Sequence, residues 1–191
     1  MEDRIAISRI KQGDLNGLES LVKRYQARAV HAAYLIVFDR ALAEDAAQSA
    51  FVKVAEHIRQ FDKDRPFAPW FFRIVVNEAL QLAKRRKRNI SLDDQLDETT
   101  AHLSRLLVDP HPQPEQWLEE KQTREKILDA IQCLPPEQRA VIVMRYFLDM
   151  SEADMSMKMD RPLSTIKWWL RDARESLRTM MDTVTTGVND E

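Results

Sequence analysis

The chain has 191 residues, 44% of them hydrophobic and 31% charged, with three glycines, eight prolines and one cysteine, which bounds it to one or two ordinary soluble domains able to bury a true core. Its 29 basic and 31 acidic side chains leave a net charge of -2, so composition alone announces neither a polybasic nor a polyacidic partner class. The lone Cys133, in an apolar helical context, argues against disulfide scaffolds and cysteine-based metal sites. Glycines only at 13, 17 and 187 leave no phosphate loop or dinucleotide fingerprint, and His31, His57, His102 and His111 are scattered without a serine, cysteine or paired-carboxylate constellation. No enzymatic step, cofactor, metal or small-molecule substrate is expected. The N-terminus opens on the charged MEDRIAISRIK and no apolar run approaches the roughly 18 residues of a membrane span, so a cytoplasmic, intact chain without membrane insertion is expected.

Few glycines, few alternating patterns and apolar residues recurring every three or four positions predict an all-α fold. Leu18, Leu21, Val22 and Tyr25, then Ala46, Ala50, Val54 and Ile58, recur at helical spacing. The prolines of DKDRPFAP at 62–69 predict a loop, and a new helix is expected to start near Trp70 and run into KRRKR at 84–88. From Asn89 to about Pro114 the apolar period weakens and Asp93, Asp94, Asp97, Glu98, Asp109, Pro110 and Pro112 collect. This reads as a linker with one short helix around Leu103 to Val108. Helical patterning then resumes through Ile127, Leu128 and Ile131, breaks at Pro135 and Pro136, and continues to about Met181.

The parse is two small helical domains, 1–95 and 116–185, joined by an acidic, proline-containing linker at 96–115. Charge follows it: residues 1–95 carry 17 basic and 13 acidic groups, 96–115 carry 1 and 4, and 116–191 carry 11 and 14. The basic excess belongs to the first domain. Its run Lys84 to Arg88 ends a helix, where cations also suit the negative end of the dipole; a solvated helix end is the plainer reading.

In the first domain, PWFFRIVVNEALQLAKRRKR at 69–88 sets Trp70, Phe71 and Phe72 beside Arg73 and the cation run, after a loop holding Phe61, Asp62, Arg65 and Phe67. Aromatic planes interleaved with cations are what a single nucleic-acid strand requires. Packing into a helical core is the alternative, expected for Phe72 with Ile74 and Val75 but not for the loop.

In the second domain, SEADMSMKMDRPLSTIKWWLRDARESL at 151–177 reads as a short helix, a break at Asp160-Arg161-Pro162 and a longer helix. That is the layout of a helix-turn-helix. Ile166, Leu170, Ala173 and Leu177 form its buried stripe, while Ser164, Lys167, Arg171 and Arg178 share the other side with Trp168, flanked by Arg174. Such a face suits phosphates and guanine edges in a major groove; an amphipathic helix with a wet basic side is the plain alternative. Ser164 or Thr165 is the expected N-cap, its neighbouring amides a phosphate site. Trp169 is expected in the core and Trp168 at the basic face.

These residues together resemble the bacterial extracytoplasmic-function sigma factors, small two-domain specificity subunits of RNA polymerase. The resemblance covers about residues 10–181 and rests on five motifs in order: GDLNGLESLVKRYQ, AEDAAQSAFVKV, FDKDRPFAPWFFRIVVNEAL, LPPEQRAVIVMRYF and the helix-turn-helix. It implies that Glu44, Asp45, Gln48 and Phe51 grip core RNA polymerase, Asp45, Gln48 and Phe51 sharing one broad face. It implies that Phe61, Asp62, Arg65, Phe67, Trp70, Arg73, Asn77, Lys84, Arg85 and Arg86 meet melted minus-10 promoter DNA. It implies that Ser164, Thr165, Lys167, Trp168, Arg171, Arg174 and Arg178 read double-stranded minus-35 DNA, and that an anti-sigma factor covers the exposed apolar and basic faces. Asp160 and Ser164 stand where the family often has glycine, the Trp168-Trp169 pair replaces small or polar and basic residues, and Val76 and Gln81 replace frequent arginine and aspartate, so no promoter sequence carries over. Two other readings are a stand-alone helix-turn-helix regulator without a polymerase role and an adaptor that mimics a sigma factor without opening DNA.

Overall fold

The computed structural model describes residues 2–62, 64–90 and 114–186, apart from the side chains of 87–90, 114–122 and 183–186. Every regular element among the described residues is helical. Helices α1 (Glu2–Lys11), α2 (Asn16–Val37), α3 (Arg40–His57) and α4 (Phe67–Ile90) make the first half; α5 (Pro114–Gln132), α6 (Pro136–Ile142), α7 (Glu152–Met159) and α8 (Leu163–Thr186) make the second. A 3-10 turn, Ile58–Gln60, follows α3, and a π-helical turn, Val143–Phe147, follows α6.

Local chemistry sets the boundaries. The Asp39 carboxylate accepts from Leu42 N–H at 3.0 Å and caps α3, satisfying one of the four amides a helix start leaves open. Pro136 opens α6 at a position where the missing N–H costs nothing. The loop expected at 62–69 is shorter than predicted: α4 begins at Phe67 and takes Pro69 into its first turn, where no intrahelical donor is needed. The linker expected at 96–115 and the helix expected at Leu103 to Val108 fall outside the described residues except where α5 begins. Cys133 lies exposed just past α5, not in the apolar setting expected.

Aromatic packing dominates the first half. Phe71 is fully buried, with ring centroids 4.6 Å from Phe51 and 5.6 Å from Phe67, the latter stacked. Each such ring adds about 1.5–3 kcal/mol of burial. Helix α1 lies so close on α2 that a Cβ on Gly17 would stand 2.3 Å from the Ala6 carbonyl oxygen, so only glycine fits there. In the second half, Met144, Met155, Ile166 and Leu170 are buried together. Helix α6 packs on α2 and α4 as well as on α8, and the two cores are continuous.

Candidate nucleic-acid interface

A groove of about 410 Å³ opens between α3 and α4. One wall carries Lys53, His57 and Gln60; the other carries Trp70, Arg73, Asn77 and Gln81. Its floor is a charge pair: Lys53 Nζ donates to Glu78 Oε1 at 2.5 Å, and Ser49 Oγ donates to Glu78 Oε2 at 2.8 Å. His57 Nδ1 lies 3.0 Å from the Lys53 carbonyl oxygen; as that oxygen only accepts, Nδ1 is the donor in this contact. Sequence reasoning found Trp70, Arg73 and Asn77 but missed Lys53, His57, Gln60, Glu78 and Gln81.

The loop aromatics differ from expectation. Phe61 and Phe67 are buried and meet edge to face at 5.9 Å, inside the cluster with Tyr25 and Phe71. Phe67 is a core residue, and only Phe61 also touches the groove. A short loop between two packed helices leaves its apolar rings nowhere to go but inward. Trp70, partly exposed, lies 4.7 Å from Phe61 by ring centroids and presents the usable aromatic surface. Asp62 and Arg65 are exposed and 3.6 Å apart. Lys11 Nζ donates to the Phe61 carbonyl oxygen at 2.6 Å and ties α1 to this loop.

Of the cation run, Lys84 and Arg85 are exposed, but Lys84 pairs with Glu137 at 3.1 Å and Arg86 with Asp39 at 3.2 Å. The run therefore splits: Arg85 points to solvent while its neighbours brace α6 and the start of α3.

On α3, Glu44, Asp45 and Gln48 are exposed, with Arg40 Nε donating to Glu44 Oε1 at 2.8 Å. Phe51 is not on that face. Six residues turn a helix by about 240° beyond a full circle, and Phe51 is buried against Phe71. The exposed face is Glu44, Asp45 and Gln48.

The helix-turn-helix forms as the sequence predicts. Ser151 Oγ accepts from Asp154 N–H at 3.1 Å and caps α7, and Asp160 ends it in the left-handed region at φ 51°, the conformation for which glycine is the usual residue. Helix α8 starts at Leu163, so neither Ser164 nor Thr165 is its N-cap; the helix takes up both because Pro162 already supplies the turn. Ile166, Leu170 and Ala173 are buried, Leu177 and Trp169 partly so. Ser164, Lys167, Trp168, Arg171, Arg174 and Arg178 are exposed, Trp168 to 57%. Arg174 Nε donates to the Tyr146 hydroxyl oxygen at 2.9 Å, and Arg178 lies 4.0 Å from Asp182.

The halves meet along a polar and aromatic seam. Arg28 donates to the Phe147 carbonyl oxygen at 3.0 Å and lies over its ring. His31 packs 4.7 Å from the same ring, and burial, with Arg124 nearby, pushes its imidazole below the ordinary value. Lys158 of α7 donates to the Pro69 carbonyl oxygen at 2.9 Å, at the very start of α4. Arg139 stacks over Phe38, and its burial beside Arg86 pushes its guanidinium down to about 10.

Comparison with known proteins accounts for both halves. The Sigma-70 region 2 family matches residues 21–89, and the Sigma-70, region 4 family matches residues 124–177. The chain is 27% identical over 177 residues to the ECF RNA polymerase sigma factor SigW of Bacillus subtilis (strain 168), covering 92% of this chain and 94% of that one. It is 26% identical over 178 residues to the ECF RNA polymerase sigma-E factor of Escherichia coli (strain K12), covering 93% of each. Its fold is similar to CnrH in its complex with the cytosolic domain of CnrY (TM-score 0.63, 22% identity, 96% of this chain and 99% of that one). It is also similar to the sigma factor RpoE, in complex with the anti-sigma factor NepR, from Bartonella quintana (TM-score 0.64, 20% identity, 86% and 96%). A stand-alone helix-turn-helix regulator would leave the region 2 match without purpose. The two matches span more than half of the chain in the order the motifs stand, and the chain belongs to the extracytoplasmic-function sigma factors, which bind RNA polymerase and recognise promoters.

Proposed function

We propose that the two surfaces divide the promoter between them. The α3/α4 groove takes the melted minus-10 strand, with Trp70 as stacking platform and Arg73, Asn77 and Arg85 along its path. Lys167, Trp168 and Arg171 on α8 meet the minus-35 duplex, with Ser164, Arg174 and Arg178 at its edges. The exposed face Glu44, Asp45 and Gln48 docks on core RNA polymerase in the cytoplasm, and the phosphodiester chemistry belongs to that polymerase. Residues 1–95 and 116–185 are the two functional units.

The observation that carries this reading is the groove, where an aromatic face, the Arg73 cation and side-chain amides converge in one concave site on α3 and α4. Convergence of stacking and charge is the requirement for holding a single strand. A protein partner follows from the solved relatives, one held by the cytosolic domain of CnrY and one by the anti-sigma factor NepR; an anti-sigma factor is proposed for this chain too.

The test is a holoenzyme of this chain with core polymerase, offered the same promoter as duplex and as a premelted fork. Trp70→Ala should weaken the fork complex by about 1–3 kcal/mol and slow opening of the duplex further. Equal behaviour of wild type and variant on both templates would remove the groove from the melting step. Asp45→Ala with Gln48→Ala should lower competition against a housekeeping sigma factor for core polymerase while leaving the helical fold intact.

A further inference from the structure

Lys53 and Glu78 face each other on the floor of the α3/α4 groove, and no strand-binding task so far accounts for them. A carboxylate in a groove that takes a phosphate chain repels it unless a cation neutralises it, and Lys53 does so at 2.5 Å. Glu78 is 12% exposed and Lys53 41%, yet both line the cavity, between the side-chain amides of Asn77 and Gln81 and the ring of His57.

The geometry restricts what the pair can accept. Ser49 holds one Glu78 oxygen and Lys53 the other, which fixes the rotation of the carboxylate and leaves one lone pair free on each oxygen. A cavity of about 410 Å³ lies in the range that buries small ligands and takes one extruded base, read on its Watson–Crick edge. Guanine alone offers two adjacent donors there, N1–H and the N2 amino group, with the O6 acceptor beside them. The two donors match the two carboxylate oxygens, and O6 meets the Lys53 ammonium. Adenine and cytosine set a bare ring nitrogen next to their one amino donor, and thymine sets carbonyls on both sides of its N–H, so each turns an acceptor toward the carboxylate.

We propose that the Lys53–Glu78 pair is a base-reading element that selects guanine at one position of the melted non-template strand. The inference rests on the groove being the strand-binding site.

The experiment uses holoenzyme with the full chain and premelted fork DNA, each non-template position of the minus-10 element set in turn to dG, dA, dC and dT. At one position dG should be preferred by about tenfold. Deoxyinosine, which lacks only the N2 amino group, should lose most of that preference there. Glu78→Gln should flatten it to within about threefold while the profile at other positions is unchanged, and Lys53→Met should flatten it as well. The proposal is overturned by the absence of any dG-preferring position, by deoxyinosine equal to dG, or by a Glu78→Gln holoenzyme that keeps the preference. The inosine arm needs no altered protein, so a variant that fails to fold does not blunt the test. Failure of the groove reading itself has a different signature: Trp70→Ala and Arg73→Ala would leave fork affinity unchanged for every base, and the proposal would fall with it. If those two variants weaken the fork and the base profile alone is flat in the wild type, only the base-reading role is lost.

Discussion

The groove and the basic face of α8 sit on one chain and are built in opposite ways. In the groove, the charged floor is held by the protein itself: Glu78 by Ser49 and Lys53, with His57 beside it tied to a backbone carbonyl. On α8, no hydrogen bond or ion pair among the described residues holds Lys167 or Arg171, and Trp168 stands 57% exposed. A concave site with fixed rotamers loses little entropy when a flexible strand enters it, whereas a convex helix face orders its long side chains only on contact. The difference fits the targets proposed for them, a floppy single strand for the held site and a stiff duplex for the loose one.

The sharpest way to break that contrast is through the core beneath the groove. Phe71→Ala, at a fully buried site, should cost about 3–5 kcal/mol in urea unfolding and degrade fork binding at permissive temperature; a loss under about 1 kcal/mol would mean that the groove is not braced from below. Arg171→Ala should lower minus-35 affinity of the holoenzyme by about 1–3 kcal/mol and relax preference at one base pair, or weaken all sequences evenly if the guanidinium meets phosphate. No change on duplex promoters would take α8 out of recognition.

Smaller effects probe the seam between the two sites. The folded pKa of His31 lies below 6.5 because burial disfavours its charged form, so the unfolded chain binds the proton first. Stability is then full above about pH 6.5 and falls as pH drops through that value toward the folded pKa. Thermal melts between pH 7.5 and about 5 should show this decline, and His31→Phe should flatten it; an unchanged slope would place the titration elsewhere. The least effect is expected from the Lys84–Glu137 pair, partly exposed on both sides. A double-mutant cycle should give a coupling within about 1 kcal/mol, shrinking with added salt.

The helical fold and the turn at Asp160 were legible because both are local, written in spacing and in residues that favour left-handed backbone. The exposed basic face of α8 was legible for the same reason, since the buried stripe Ile166, Leu170 and Ala173 fixes where Lys167 and Arg171 point. Phe51 and Phe67 were misplaced because an aromatic ring looks alike in a sequence whether it meets a partner molecule or packs on Phe71. Only the neighbouring helices decide. The Lys53–Glu78 pair joins residues 25 positions apart on different helices, and Arg28 reaches a carbonyl 119 positions away. Neither contact leaves a periodic trace in the chain.

Two of the structural lysines, Lys11 and Lys158, bond to main-chain carbonyls, of Phe61 and Pro69, and not to acidic side chains. A carbonyl is present whatever residue occupies the position. Mutational tolerance at these contacts is therefore one-sided: replacing either lysine removes the bond, whereas the partner position contributes nothing that its side chain can withdraw. Charge-reversal pairs, the usual device for rescuing a broken ion pair, have no counterpart to reverse here, and in sequences of this kind the two lysines would vary without a correlated partner.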